Sequence, residues 1–440
     1  MLLALSYYFY ASWNFSYSLL ILTSTVITYF CALLVEKEVF GKKRLWLFLS
    51  LLLNLSILFF YKYFNFTFGL IGSLTGFDLP SLNILLPVGI SFYTFQAIGY
   101  TIDVYRGNIA PEKNFIDYAV FVSFFPQLVA GPIERSTSLL PQIKEKRKFK
   151  ISNIRDGFLP ILAGLFKKIV IADWLAVVVN TVYSGKDFNG VYYIIATICF
   201  AFQIYCDFSA YTDIATGSAK LFGIDLSINF RAPYFADSVK DFWRRWHISL
   251  SSWFKDYLYF PLGGNRVSKF RASINILIVF AISGLWHGAA LTFIIWGLLN
   301  GIYQVFGMFF KKFTNIRFLK PFRILITFIL ICFSWIFFRA ENLAQAFSII
   351  SEMFNINKEM IESFDYSLLG LSKEYVIICI FSVSGLIVVD FIMQFVNLEK
   401  LINKTFIFRY IVYLFLIFFM ILFGYYGIGY DAQDFIYFRF

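Results

Sequence analysis

Long apolar runs, separated by short basic loops, dominate this sequence. The first clear run covers residues 17–35 and the last covers 410–426, and predicted spans between them include 84–101 and 158–183. Runs of this length match the roughly 20 residues that a helix needs to cross a bilayer core. The runs are continuously apolar rather than alternating, which favours helices over the strands of an outer-membrane barrel. The sequence therefore predicts an all-α polytopic membrane protein with about ten to twelve transmembrane helices plus re-entrant and interfacial helices.

Composition supports one integrated membrane domain. The chain of 440 residues is 59% hydrophobic and 15% charged, whereas a soluble globular protein carries far more charge. Because no polar stretch is long enough for a separate soluble domain, residues 1–440 are predicted to form a single domain. Residues 207–271 mix acids, arginines and aromatic residues, and 207–290 is predicted to be the catalytic core segment of the domain.

The net charge of +11 is interpreted as a topology signal. The basic residues form short clusters between the apolar runs, and 144–150 is the densest of them. The positive-inside rule places such clusters in the cytoplasm, so membrane lipids are a predicted partner and nucleic acid is not. The five cysteines are scattered inside apolar runs without paired spacing, which predicts packing residues rather than disulfides or metal ligands.

The strongest candidate for a functional side chain is His287, one of only two histidines in the chain. It lies inside an apolar run, next to Trp286 and between Gly284 and Gly288. A titratable group at membrane depth is costly and often marks a functional site. The imidazole could instead be a helix–helix hydrogen-bond partner. The glycine spacing also leaves two roles open: it could let another backbone or a ligand approach closely, or it could serve plain helix packing.

A second candidate stretch, 241–257, contains the other histidine, His247. Asp241 and Arg245 are four residues apart and share one helical face. The stretch fits either a polar lining around His247 or a basic aromatic helix anchored at the lipid headgroups, although an anchor has no need of a histidine. The other candidates for this lining are Trp246, Arg244 and Ser249.

A third candidate lies at the end of an apolar run, where Asp207 and Tyr211 share one helical face. Asp207 could orient a histidine, or it could pair with Arg244 or Arg245 inside the protein. Two histidines in a protein-lined cavity suit proton transfer near neutral pH. No metal site is expected, because cysteines or carboxylates at ligand spacing are lacking. The residues alone thus predict a membrane-embedded site with a general-base histidine.

Several motifs resemble the membrane-bound O-acyltransferases, and within them the bacterial branch that O-acetylates alginate and peptidoglycan. They keep the family's order from near residue 90 to the C-terminus. The matching stretches are 91–96 (SFYTFQ), 129–133 (VAGPI), 205–215 (YCDFSAYTDIA), 242–264, 284–288 (GLWHG) and 435–438 (FIYF).

This resemblance implies a function. The family's catalytic histidine falls on His287, and its second motif histidine falls on His247. Members of this branch pass acetyl groups outward from a cytoplasmic donor, which is expected to be acetyl-CoA, with no bound cofactor. The expected acceptor is a cell-surface polysaccharide, reached directly or through an extracytoplasmic acetyltransferase partner. The expected location is the bacterial inner membrane.

Two other functions fit the same sequence less well. A proton-coupled transporter or flippase for a lipid-linked sugar would use His287 as a proton relay. A purely structural subunit of a polysaccharide export complex would not depend on His287 at all.

Overall fold

The computed structural model describes residues 1–38, 41–148, 150–185, 188–309, 317–426 and 435–436. Within these residues the chain forms twenty α-helices and no β-strand, which confirms the all-α class. Three π-helical turns, Phe59–Tyr63, Lys167–Ala172 and Lys255–Tyr259, interrupt or extend them. In chain order the α-helices are α1 (Leu2–Ala11), α2 (Phe15–Glu36), α3 (Lys43–Leu58), α4 (Phe64–Thr75), α5 (Ile90–Arg106), α6 (Phe115–Ser123), α7 (Ser136–Lys144), α8 (Ile151–Phe166), α9 (Asp173–Ser184), α10 (Gly190–Leu221), α11 (Val239–Arg245), α12 (Ile248–Phe254), α13 (Lys269–His287), α14 (Leu291–Phe309), α15 (Lys320–Arg339), α16 (Leu343–Phe354), α17 (Lys358–Glu362), α18 (Lys373–Met393), α19 (Leu398–Lys404) and α20 (Phe406–Phe423).

Eight helical segments in the described residues are long and apolar enough to cross a membrane, which confirms a multi-pass membrane protein. Two of the stretches that were predicted to be transmembrane helices have a different form in the structure. The predicted span 84–101 becomes α5, which has 17 residues. The predicted span 158–183 is a helix interrupted by the π-helical turn and carries Lys167 and Lys168. The eight segments are Phe15–Glu36, Lys43–Thr75, Gly190–Leu221, Lys269–His287, Leu291–Phe309, Lys320–Arg339, Lys373–Met393 and Phe406–Phe423.

The chain divides into two compact units, each built from several segments of the sequence. The first consists of residues 1–157, 215–227 and 255–257, and the second of 158–214, 228–254 and 258–440. All the side chains that the sequence nominates for the site belong to the second unit. The single-domain interpretation of residues 1–440 stays a prediction.

The first unit is organised around α5, whose motif residues 91–96 are all buried. Gln96 donates a hydrogen bond to the carbonyl oxygen of Phe121, and Gln127 donates one to Gln96 Oε1 at 2.8 Å. Just before α5, Gly89 has a φ of +76° and approaches the backbone of Leu128 so closely that a side chain could not fit. Two of the family-like motifs, 91–96 and 129–133, are therefore packing elements of this unit.

The second unit contains a tight hairpin of α13 and α14, and glycines make it possible. A Cβ atom on Gly284 would lie 2.9 Å from the carbonyl carbon of Phe293 and 3.3 Å from the Cα of Ile294. A Cβ atom on Gly288 would collide with the ring of Phe293, and one on Gly297 would collide with the backbone of Phe280. The glycine spacing around His287 therefore serves helix packing, one of the two roles that the sequence left open.

Replacing Gly284 with alanine is expected to destabilise the protein by about 1–3 kcal/mol, because the added methyl group meets backbone that cannot rotate away. The matched control is Gly307→Ala on α14, where nothing lies within 4 Å of the added atom. There alanine is expected to be neutral or to stabilise the helix by about 0.5–1 kcal/mol. Thermal unfolding in detergent measures both variants, and a Gly284→Ala protein as stable as the Gly307→Ala protein would contradict this packing.

Candidate active site

His287 is the last residue of α13, and its side chain is buried, with 4% of the residue exposed. The helix ends there because Gly288 adopts an extended backbone, while its N–H still reaches the carbonyl oxygen of Gly284 at 3.3 Å. The hairpin turn to α14 thus holds the imidazole at a fixed place. Three aromatic rings surround it at centroid distances of 4.9 to 5.5 Å, and we call them the aromatic box: Trp286, Trp296 and Phe338.

His247 lies in the break between α11 and α12 and has a φ of +43°. A non-glycine residue in this left-handed region is strained and persists only where its surroundings enforce it. Asn229 supplies that constraint: its carbonyl oxygen accepts from Ile248 N at 3.0 Å, and its Oδ1 accepts from Ser249 N at 3.0 Å. Phe208 of α10 packs edge-on against the imidazole at 4.6 Å.

The two imidazoles converge although they come from different elements. The ring centroids of His247 and His287 are 6.4 Å apart, and His247 lies 6.1 Å from Trp286. Of the residues that the sequence nominated, these three are the ones that meet in one buried place. Burial lowers the pKa of His247 to about 3, so this imidazole is neutral at physiological pH.

Asp207 has a partner that the sequence did not indicate. Its carboxylate accepts a hydrogen bond from Lys168 at 2.7 Å and another from the backbone N–H of Ile436 at 2.5 Å. Lys168 also pairs with Asp173 at 3.0 Å, and all three side chains are almost completely buried. The cation observed beside Asp207 is thus the lysine of the π-helical turn, whereas Arg245 pairs with Asp241. Tyr211, one turn further along α10, packs against Phe435 at 5.3 Å.

The remaining candidate residues are exposed or make ion-pair, stacking or backbone contacts outside the imidazole pair. Asp241 and Arg245 form the expected i,i+4 ion pair at 2.8 Å, with a quarter of each side chain exposed. Arg244 is exposed, so it is not part of the buried lining. Trp246 is buried and stacks on Phe242 at 5.4 Å. Ser249 is buried and fixed by Asn229 through its backbone.

Sequence reasoning missed three residues that contribute to this region. Lys168 was hidden in a run read as a simple span, although a lysine pair inside an apolar run is itself a signal. Trp296 and Phe338 looked like ordinary packing residues, and nothing local distinguished them. In the described part of the chain, no three His, Cys, Asp or Glu side chains cluster as metal ligands would. Of the motif 435–438, Tyr437 and Phe438 lie outside the described residues.

Comparison with known proteins finds similar sequences over most of the chain. The model of the membrane-bound O-acyltransferase family matches residues 8–350. The peptidoglycan O-acetyltransferase of Helicobacter pylori is 40% identical over 407 residues, which cover 84% of this chain and 75% of that protein. The probable alginate O-acetylase of Pseudomonas aeruginosa is 38% identical, with 81% and 69% covered. The teichoic acid D-alanyltransferase of Bacillus subtilis is 26% identical, with 60% and 71% covered.

Proposed function

The chain belongs to the membrane-bound O-acyltransferase family and is an acyltransferase, and from this premise we propose that it transfers acetyl groups to a cell-surface polysaccharide. The proposed donor is acetyl-CoA on the cytoplasmic side, and the proposed location is the bacterial inner membrane. One observation carries the proposal: His287, held by the hairpin of α13 and α14, and His247, from the break between α11 and α12, converge in a buried aromatic setting with their ring centroids 6.4 Å apart.

In the proposed reaction His287 acts as a general base. It takes the proton of the acceptor hydroxyl while the hydroxyl oxygen forms a bond to the thioester carbon, and the carbonyl electron pair moves onto its oxygen. The carbonyl then re-forms, the carbon–sulfur bond breaks, and the thiolate takes the proton from His287. The proton returns within each cycle, so the imidazole alone can complete the transfer. While it is charged, His287 lies at the C-terminal end of α13, where the helix dipole stabilises a cation.

His247 is proposed to position the reacting groups rather than to move the proton. Its pKa of about 3 keeps it neutral, and a neutral imidazole offers one hydrogen-bond donor and one acceptor. The strained backbone at φ +43° holds that ring in one place. Strain of this kind is found at sites where a side chain must be placed for function.

The names of the relatives support the proposed acceptor and the proposed transferred group. Two of the similar proteins are named for O-acetylation of peptidoglycan and of alginate, both polysaccharides. The relative named for D-alanyl transfer is more distant, at 26% identity, which favours acetyl as the transferred group. We further propose that the acetyl group reaches its polysaccharide through an extracytoplasmic acetyltransferase partner.

Incubation of the purified protein with labelled acetyl-CoA tests the proposal. We expect release of free CoA that rises on addition of a hydroxyl acceptor or of the partner acetyltransferase. The matched comparison uses an acetylated carrier-protein thioester in place of acetyl-CoA. Turnover of the carrier thioester without turnover of acetyl-CoA would contradict the proposed donor, and turnover of neither would contradict the proposed acetyl transfer.

A further inference from the structure

Trp296 combines complete burial with an unused hydrogen-bond donor. It is 1% exposed, and within the described residues its indole Nε1 has no hydrogen-bond partner. Buried polar groups in folded proteins are nearly always paired, so an unpaired one calls for an explanation. The neighbouring Trp243, also buried, shows the usual state, since its Nε1 donates to Asn300 Oδ1 at 3.2 Å.

The position of Trp296 next to His287 suggests a function for its indole N–H. Its ring is perpendicular to that of His287, with the centroids 5.0 Å apart. A group that accepts a proton from an attacking hydroxyl must lie beside the carbonyl under attack. The indole ring of Trp296 adjoins the imidazole that would lie beside this carbonyl, which makes its N–H a candidate donor to the carbonyl oxygen.

Trp296 is also held rigidly. Its indole stacks on Trp335 with centroids 5.6 Å apart and planes inclined by 18°, and Trp243 closes the other side at 5.7 Å. Next to it in the chain, Gly297 brings α14 against the backbone of Phe280. A donor fixed in this way needs no reorganisation when charge develops, which is the property that makes oxyanion stabilisation effective.

We propose that the indole N–H of Trp296 donates a hydrogen bond to the acetyl carbonyl oxygen as that oxygen becomes negatively charged. This role rests on the proposed acetyl transfer and adds a catalytic residue to it. When the hydroxyl oxygen bonds to the carbonyl carbon, the carbonyl electron pair moves onto the oxygen, and the N–H of Trp296 stabilises the resulting oxyanion. When the carbon–sulfur bond breaks, the electron pair returns and the hydrogen bond weakens.

The test replaces only the donor. Incorporation of 3-benzothienylalanine at position 296 of the full-length protein exchanges the indole N–H for sulfur and keeps the size and shape of the ring. We expect kcat for acetyl-CoA to fall by about 10²–10³-fold, the usual loss for one oxyanion donor. KM and the thermal unfolding temperature are expected to stay close to those of the wild type, because packing and ground-state binding are retained.

The same replacement at position 174, on α9, is the matched control. It removes an indole N–H that donates to the carbonyl oxygen of Phe423 at 2.8 Å, so we expect lower thermal stability and little change in kcat. A position-296 variant with wild-type kcat beside an active wild type would overturn the role of Trp296 alone. An inactive wild type in the same assay would overturn the proposed transfer and this role with it.

Discussion

Replacing His287 with glutamine is expected to lower acetyl transfer by about 10²–10⁴-fold, the contribution typical of a general base. The glutamine amide is similar in size to imidazole and can form hydrogen bonds, but it cannot accept the acceptor's proton. The aromatic box and the turn at Gly288 hold the side chain at this position. The folded structure should therefore persist, and thermal unfolding should change little compared with the loss of activity.

Two measurements check this result: release of CoA by the purified variant, and the O-acetyl content of cell-surface polysaccharide in cells that carry it. Lys358→Ala serves as the control, because the Lys358 side chain is 87% exposed and pairs with Glu362, at 3.3 Å, on the surface of α17. That variant should match the wild type in both assays. Full surface acetylation in His287→Gln cells would refute the catalytic assignment and would favour a structural or transport role.

The fold class could be predicted because each membrane-spanning helix satisfies its own backbone, so the signal is local. The predicted run 17–35 lies inside α2, for instance, and the run 410–426 overlaps α20 as far as Phe423. The length of an apolar run was a less reliable guide to the form of the helix. The run 158–183 looked like one ordinary span, but the π-helical turn at Lys167–Ala172 breaks it and places two lysines inside the second unit. Apolar composition does not reveal such a turn.

The candidate site could be predicted where a side chain was unusual for its surroundings. His287 was conspicuous because an imidazole is rare in an apolar run, and His247 because it was the only other one. The ion-pair partner of a buried carboxylate could not be predicted in the same way. Asp207 pairs with Lys168, which is 39 residues away in the chain. The sequence around Asp207 does not distinguish this lysine from other cationic residues as its partner. Trp296 gave no local signal, since its role depends on a donor left unpaired by the tertiary structure.

The other large effect is expected at Lys168, the cation between two buried carboxylates. Its Nζ lies 2.7 Å from Asp207 Oδ1 and 3.0 Å from Asp173 Oδ1, and the two acidic side chains are 3% and 1% exposed. Lys168→Met keeps the length of the side chain and removes its charge, which leaves both carboxylates buried without their cation. Loss of one partner of a buried ion pair costs about 3–5 kcal/mol, so we expect a large drop in the thermal unfolding temperature in detergent.

Compensating substitutions separate this charge effect from lost packing. Adding Asp173→Asn and Asp207→Asn to the Lys168→Met variant removes the unpaired charges, and the amide oxygen introduced at position 207 can still accept the N–H of Ile436. Buried ion pairs can often be replaced by neutral residues at little cost, so the triple variant should recover most of the stability. Lys358→Met, at the exposed pair with Glu362, should cost no more than about 1 kcal/mol. A triple variant as unstable as Lys168→Met would mean that the methionine disturbs packing, and that the buried charges are not what Lys168 stabilises.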